Sequence, residues 1–137
     1  MRVVVETPKW SFVKYKWVGG DFVRELVSPI PNLFNYGFVE GMMGGDGMPQ
    51  DALILGRRIR QGEKIDYIIV GKVQFIDNGY KDDKLIFSEN GKFSHYDRLK
   101  IRIFYFIYPI FKLLYYIIVK REGYSFRYNG IISNKLQ

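Results

Sequence analysis

The 137-residue chain contains no cysteine and one histidine, His95. Without thiols it has no disulfide, no Cys-ligated zinc or iron–sulfur cluster and no thiol nucleophile. With a single imidazole, the usual zinc sites and Ser-His-Asp triads have little to draw on. Any metal should therefore be a hard ion bound through oxygen. No secretory signal is visible either, because Met1-Arg2-Val3-Val4-Val5-Glu6 is charged within its first turn. The cytoplasm is the expected location. A long uninterrupted apolar run is also missing. Ile101–Val119 comes nearest, but Arg102 and Lys112 interrupt it and Pro109 sits near its middle. It reads as a buried amphipathic helix, with membrane insertion as the lesser alternative.

What is present is apolar and basic. Hydrophobic residues make up 47% and aromatics 18%, enough for one core and one domain over 1–137. The formal charge of +7 suits an anionic partner such as nucleic acid, acidic lipid or polyphosphate, and charge alone does not choose among them. The first two-thirds reads as strands: Arg2–Glu6, Asp21–Val27, Gly37–Glu40, Ala52–Leu55, the long run Lys64–Asp77 and Lys84–Phe87. Gly71 marks a bulge or bend in the long run, while Gly44–Pro49 and Asn78-Gly79 are turns. From Tyr96 to about Arg121 the period becomes helical, with Ile101, Phe104, Tyr108, Phe111 and Tyr115 at spacings of three and four. Pro109 is expected to kink or divide that helix. A last strand, Tyr124–Ile132, precedes a polar tail. The pattern predicts an α+β domain with a small, strongly curved sheet or barrel.

Four aspartates stand at strand ends. Asp46 and Asp51 flank the glycine-proline loop, Asp77 ends a strand and Asp82 precedes the next. If those loops meet at one rim, their carboxylates repel until a divalent cation joins them. Mg²⁺ takes one or two carboxylates, keeps waters and completes its shell with phosphate oxygens. Ordinary use of Asp and Gly in turns is the plainer reading of the same residues. The basic residues weigh against it. Arg24 has the strand parity of Phe22 and Leu26 and is expected to face inward, Lys84 shares a face with Asp82, and Lys14 lies in the aromatic stretch Trp10–Trp17.

At these positions the sequence resembles the soluble (family I) inorganic pyrophosphatases. Their signature Asp-x-Asp-Pro-x-Asp, preceded by Asn-Tyr-Gly, is matched by Asn35-Tyr36-Gly37 and Asp46-Gly47-Met48-Pro49-Gln50-Asp51. Glu6-Thr7-Pro8, Lys14-Tyr15, Arg24, Val70-Gly71, Asp77 and Asp82-Asp83-Lys84 fall on further family elements, from Val3 to about Phe87. The resemblance implies a small five-stranded, OB-like β-barrel with a flanking C-terminal helix, and Mg²⁺-dependent hydrolysis of pyrophosphate to two phosphates. It implies Asp46, Asp51, Asp77 and Asp82 as metal ligands, and Lys14, Arg24, Tyr36 and Lys84 as holders of phosphate oxygens. Catalysis would fall to Asp51 with Arg24, Tyr36 and Lys14, with Glu6 in support and a homo-oligomer as the assembly. Lys112, after Phe111, is the counterpart of a further phosphate ligand.

The departures are specific. Met48 replaces the acid that orients the attacking water, Lys16 stands where the family has a glutamate, and Asn32 replaces a phosphate-binding tyrosine. A thioether cannot accept a proton, and losing a general base costs about 10²–10⁴-fold in rate. The alternative is a paralogue that binds metal and diphosphate without efficient turnover. A nucleic-acid or membrane partner explains none of the carboxylate spacings and is not expected.

Overall fold

The short apolar runs and alternating stretches of the first ninety residues become strands in the computed structural model, which describes residues 1–133; the polar tail beyond lies outside the described residues. In chain order the elements are β1 (Val3–Thr7), β2 (Val13–Val18), β3 (Asp21–Val27), β4 (Asn35–Met43), β5 (Pro49–Ile54), β6 (Lys64–Ile65), β7 (Ile68–Asp77), β8 (Tyr80–Lys81), β9 (Lys84–Ser88), α1 (His95–Tyr115) and β10 (Phe126–Ser133). The main sheet runs β10-β7-β9-β5-β4-β1-β6, with β8 on β7, while β2 and β3 form a separate hairpin. All the pairings are antiparallel except β5 with β9. The five central strands β1, β4, β5, β9 and β7 supply the OB-like, strongly curved body. The sheet remains open, because β6 and β10 lie at opposite ends of the path.

β1 is buried at every position, as a run of Val-Val-Val covered on both faces requires. Along β5 and β9 alternate side chains enter two cores. Leu53 and Ile86 join Phe34, Val73 and Phe75 under α1, whereas Ile54 and Phe87 join Val3, Val5 and Ile59 on the opposite face. Each fully buried side chain of this size contributes roughly 1.5–3 kcal/mol. The register slips between Ile69 and Gly71, so Gly71 does mark a bulge in β7. A methyl group there would stand 2.5 Å from the Ile132 carbonyl oxygen. The single long strand expected over Lys64–Asp77 is two: it breaks at Asp66-Tyr67, and the halves pair with different partners, β6 with β1 and β7 with β9.

α1 begins at Ser94, whose hydroxyl accepts the Asp97 amide while the Asp97 carboxylate accepts the Ser94 amide. It runs unbroken through Pro109 and widens into a π-type turn at Tyr116–Lys120, closed by Arg121 in the left-handed region. The expected division at Pro109 does not occur. The ring lies on the inner, packed face, where neighbouring side chains hold the helix against the sheet. The helix is also not buried all round. Ile101, Phe104, Tyr105 and Tyr108 face the core, but Ile103, Phe106, Ile110 and Leu114 are exposed.

Candidate active site

Because β5 and β9 are parallel, with Ala52 opposite Leu85, both strands enter the sheet from the same edge. Asp51 on β5 and Lys84 on β9 therefore sit side by side, and Asp82 follows from the two-residue repeat of an extended chain. The Lys84 ammonium donates to Asp51 Oδ2 and to Asp82 Oδ2, each at 2.6 Å, and all three side chains are buried. Burial pushes the Asp51 carboxyl upward, but the adjoining Lys84 charge and hydrogen bond outweigh it and hold it at about 2. Burial raises Asp82 to about 6, and the negative Asp51 beside it adds to the rise against Lys84. The pair thus ionises once easily and a second time reluctantly.

Around this floor lies a partly open cleft. The β2–β3 hairpin lends Lys14, Lys16 and Glu25, β4 lends Tyr36, and α1 lends Tyr105, Tyr108 and Lys112. Asp77 at the end of β7 and Tyr124 close the far side. Lys14 Nζ stands 4.9 Å from the Tyr36 ring centre and 3.9 Å from Glu25 Oε2. Lys112 donates to Asp77 Oδ2 at 3.5 Å, and burial with Lys14 nearby lowers its pKa. At the back, the Glu6 carboxylate accepts the Trp17 amide at 2.6 Å, and burial carries its pKa to about 7.

Of the residues singled out in the sequence, the cleft collects Glu6, Lys14, Tyr36, Asp51, Asp77, Asp82, Lys84 and Lys112, together with the altered positions Lys16 and Asn32. It does not collect Arg24 or Asp46. Arg24 is exposed rather than inward-facing. In the hairpin Lys14 pairs with Leu26 but Tyr15 pairs with Arg24, so Glu25 is an extra, bulged residue. The bulge reverses the alternation and turns Glu25 inward in place of Arg24. Asp46 sits half-buried in the loop between β4 and β5, where its Oδ1 accepts the Met48 amide at 3.0 Å. Met48 is itself exposed. The residues that sequence reasoning missed are Glu25, Tyr105, Tyr108 and Tyr124. The helical spacing of Tyr105, Tyr108 and Lys112 was the signal that could have placed the two tyrosines on this wall, whereas Glu25 and Tyr124 left none.

Among the described residues no three acidic or imidazole groups stand close enough to enclose a metal ion. Asp46, Asp51, Asp77 and Asp82 are therefore not gathered into one group, because Asp46 lies outside the cleft. The donor set does suit a single hard ion, since two carboxylates converge at Lys84 and carboxylate oxygens of Asp77 and Glu25 are buried without hydrogen-bond partners. Four lysines, Lys14, Lys16, Lys84 and Lys112, line the same cleft.

The fold and cleft together define an OB-like α+β protein with a cleft lined by lysines and carboxylates. The family model described as inorganic pyrophosphatase matches residues 3–101, and the chain belongs to that family. It is similar to the soluble inorganic pyrophosphatase of Oryza sativa subsp. indica, 35% identical over 71% of this chain and 49% of that one. It is also similar to the inorganic pyrophosphatase of Campylobacter jejuni, 33% identical over 73% and 62% of the two chains. The chain thus spans about half the length of the plant relative. Among solved structures, the Helicobacter pylori inorganic pyrophosphatase superposes with a TM-score of 0.80 at 24% identity, covering 99% of this chain and 85% of that one. The Thermus thermophilus inorganic pyrophosphatase gives 0.75 at 21% identity, covering 99% and 83%. At these identities the structures share the fold.

Proposed function

We propose that the chain binds pyrophosphate in this cleft and hydrolyses it to two phosphates with Mg²⁺. The observation that carries the reading is the buried Asp51–Lys84–Asp82 group, facing a cleft that also holds Lys14 and Lys112. Lys14 and Lys112 hold phosphoryl oxygens from opposite walls, and Lys84 adds its charge from the floor. The Tyr36 hydroxyl, kept protonated by burial, is a donor to the same anion. Asp51 and Asp82, with Asp77 across the cleft, are the residues that would hold Mg²⁺. That ion would neutralise the diphosphate and polarise the phosphorus that water attacks. Glu6 fixes the hairpin through the Trp17 amide and so positions Lys14. With Met48 exposed, no carboxylate of the loop reaches the cleft to take a proton from water, which favours slow turnover.

A cytoplasmic location and assembly into a homo-oligomer belong to the same reading, and the mass of the chain in solution tests the latter. The decisive assay is phosphate release from pyrophosphate with Mg²⁺. Wild type is expected to release phosphate, and Asp51→Asn to lose at least about a hundredfold in rate. Saturable binding of Mg²⁺ and pyrophosphate by an inert wild type would instead identify the non-hydrolysing paralogue that Met48 suggests.

A further inference from the structure

The bulge that turns Glu25 into the cleft puts a carboxylate beside the lysine that is to hold the ligand. Lys14 pairs with Leu26 and Tyr15 with Arg24, so the ladder on either side fixes Glu25 inward. Its Oε2 is buried without a hydrogen-bond partner and stands 3.9 Å from Lys14 Nζ. That distance makes an ion pair but not a hydrogen bond, so the Lys14 donors are not spent on Glu25. The positive Lys14 holds the Glu25 carboxyl below its ordinary value against burial, and Lys112 and Lys16 add to the effect. Glu25 is therefore ionised at neutral pH. The other carboxylates of the cleft are each engaged: Asp51 and Asp82 with Lys84, Asp77 with Lys112, and Glu6 with the Trp17 amide. Glu25 alone faces the ligand space with its charge and no bond from Oε2.

Charge gives the consequence. The four lysines of the cleft meet five carboxylates once Glu25 is included. Even with Glu6 half-protonated near pH 7, those lysines are matched by acids of the same cleft. The net charge of +7 therefore lies elsewhere on the chain. A phosphoryl oxygen that hydrogen-bonds Lys14 must lie within about 7 Å of Glu25 Oε2. Like charges at that range in a partly buried site repel by more than thermal energy. The repulsion grows with the uncompensated charge of the anion and is relieved when cations accompany it.

On the reading that this cleft binds diphosphate, we propose that Glu25 is a specificity-determining residue. It is an internal counter-charge to Lys14 that disfavours free phosphate and free diphosphate and favours diphosphate already complexed with divalent cations. The test is titration calorimetry of the full chain with inorganic phosphate and with methylenediphosphonate, each in EDTA and in Mg²⁺. Glu25→Gln removes the charge and breaks no hydrogen bond of Oε2, and Glu25→Ala serves in its place if the amide variant fails to fold. Either is expected to bind both anions in EDTA at least about tenfold more tightly than wild type. In Mg²⁺ the gain for the diphosphonate should be less than about threefold, because the ligand's charge is then compensated. Glu25→Asp keeps the charge and should bind as wild type does. The proposal is overturned if removing the charge leaves binding in EDTA unchanged or weaker, or if the gain is as large with Mg²⁺ as without it. The cleft reading survives either result so long as wild type takes up the diphosphonate with Mg²⁺. If no form binds either anion, with Mg²⁺ or without it, that reading fails and the proposal with it.

Discussion

Lys84 shows how much of the site rests on a single side chain. Its ammonium is buried between two carboxylates, so removing it leaves two desolvated acids without a partner. Lys84→Met is expected to lower stability by about 3–5 kcal/mol, read by urea denaturation, as well as to abolish phosphate release. Asp46 offers a contrast. It lies off the cleft and serves its own turn, so Asp46→Asn should reduce the rate less than about tenfold where Asp51→Asn removes far more. Glu6 gives a pH signature. Its folded pKa of about 7 lies above the ordinary carboxyl value of 4.5, so it contributes stability below pH 4.5 that is lost as pH rises through 7. Glu6→Gln should therefore gain on wild type across that window, by roughly 2–3 kcal/mol at pH 8, in paired denaturation curves at pH 4.5 and pH 8. That Lys14, Tyr36, Asp51, Asp82 and Lys84 line one cleft was legible through their resemblance to the family's sequence elements. Arg24 was misread because strand parity assumes an unbroken ladder, and Glu25 breaks it without any glycine or turn residue to announce it.

The elements were legible in proportion to how locally they are determined. α1 is encoded by its apolar period and by the Ser94–Asp97 cap, and Ser94→Ala should cost about 1 kcal/mol in thermal denaturation. The bulge at Gly71 was visible as a glycine inside an apolar run. The break between β6 and β7 was not, because Asp66-Tyr67 carries no turn signal, and the two halves separate only through pairing with strands distant in sequence. Pro109 was expected to kink or divide the helix, and the helix is not divided. Its buried position suits this, since α1 is held by the packing of Ile101, Phe104, Tyr105 and Tyr108 against the core on the same face.

At the scale of the whole molecule, the cleft joins side chains from the hairpin, the sheet and the helix, so a ligand that spans it should tighten all three together. A non-hydrolysable diphosphonate with Mg²⁺, at about a hundred times its dissociation constant, is expected to raise Tm by roughly 5–10 °C, measured by calorimetry. The parallel contact between β5 and β9 has a consequence for how the molecule reaches this state. Some thirty residues separate Asp51 from Lys84 in the chain, and the intervening segment must first send β7 out and back before the two strands can meet. Such a non-local closure is entropically late, so the floor of the cleft is among the last features to form during folding. A nascent or partly folded chain therefore lacks the joined Asp51–Lys84–Asp82 group, and on the proposed function capture of diphosphate would report completion of the fold.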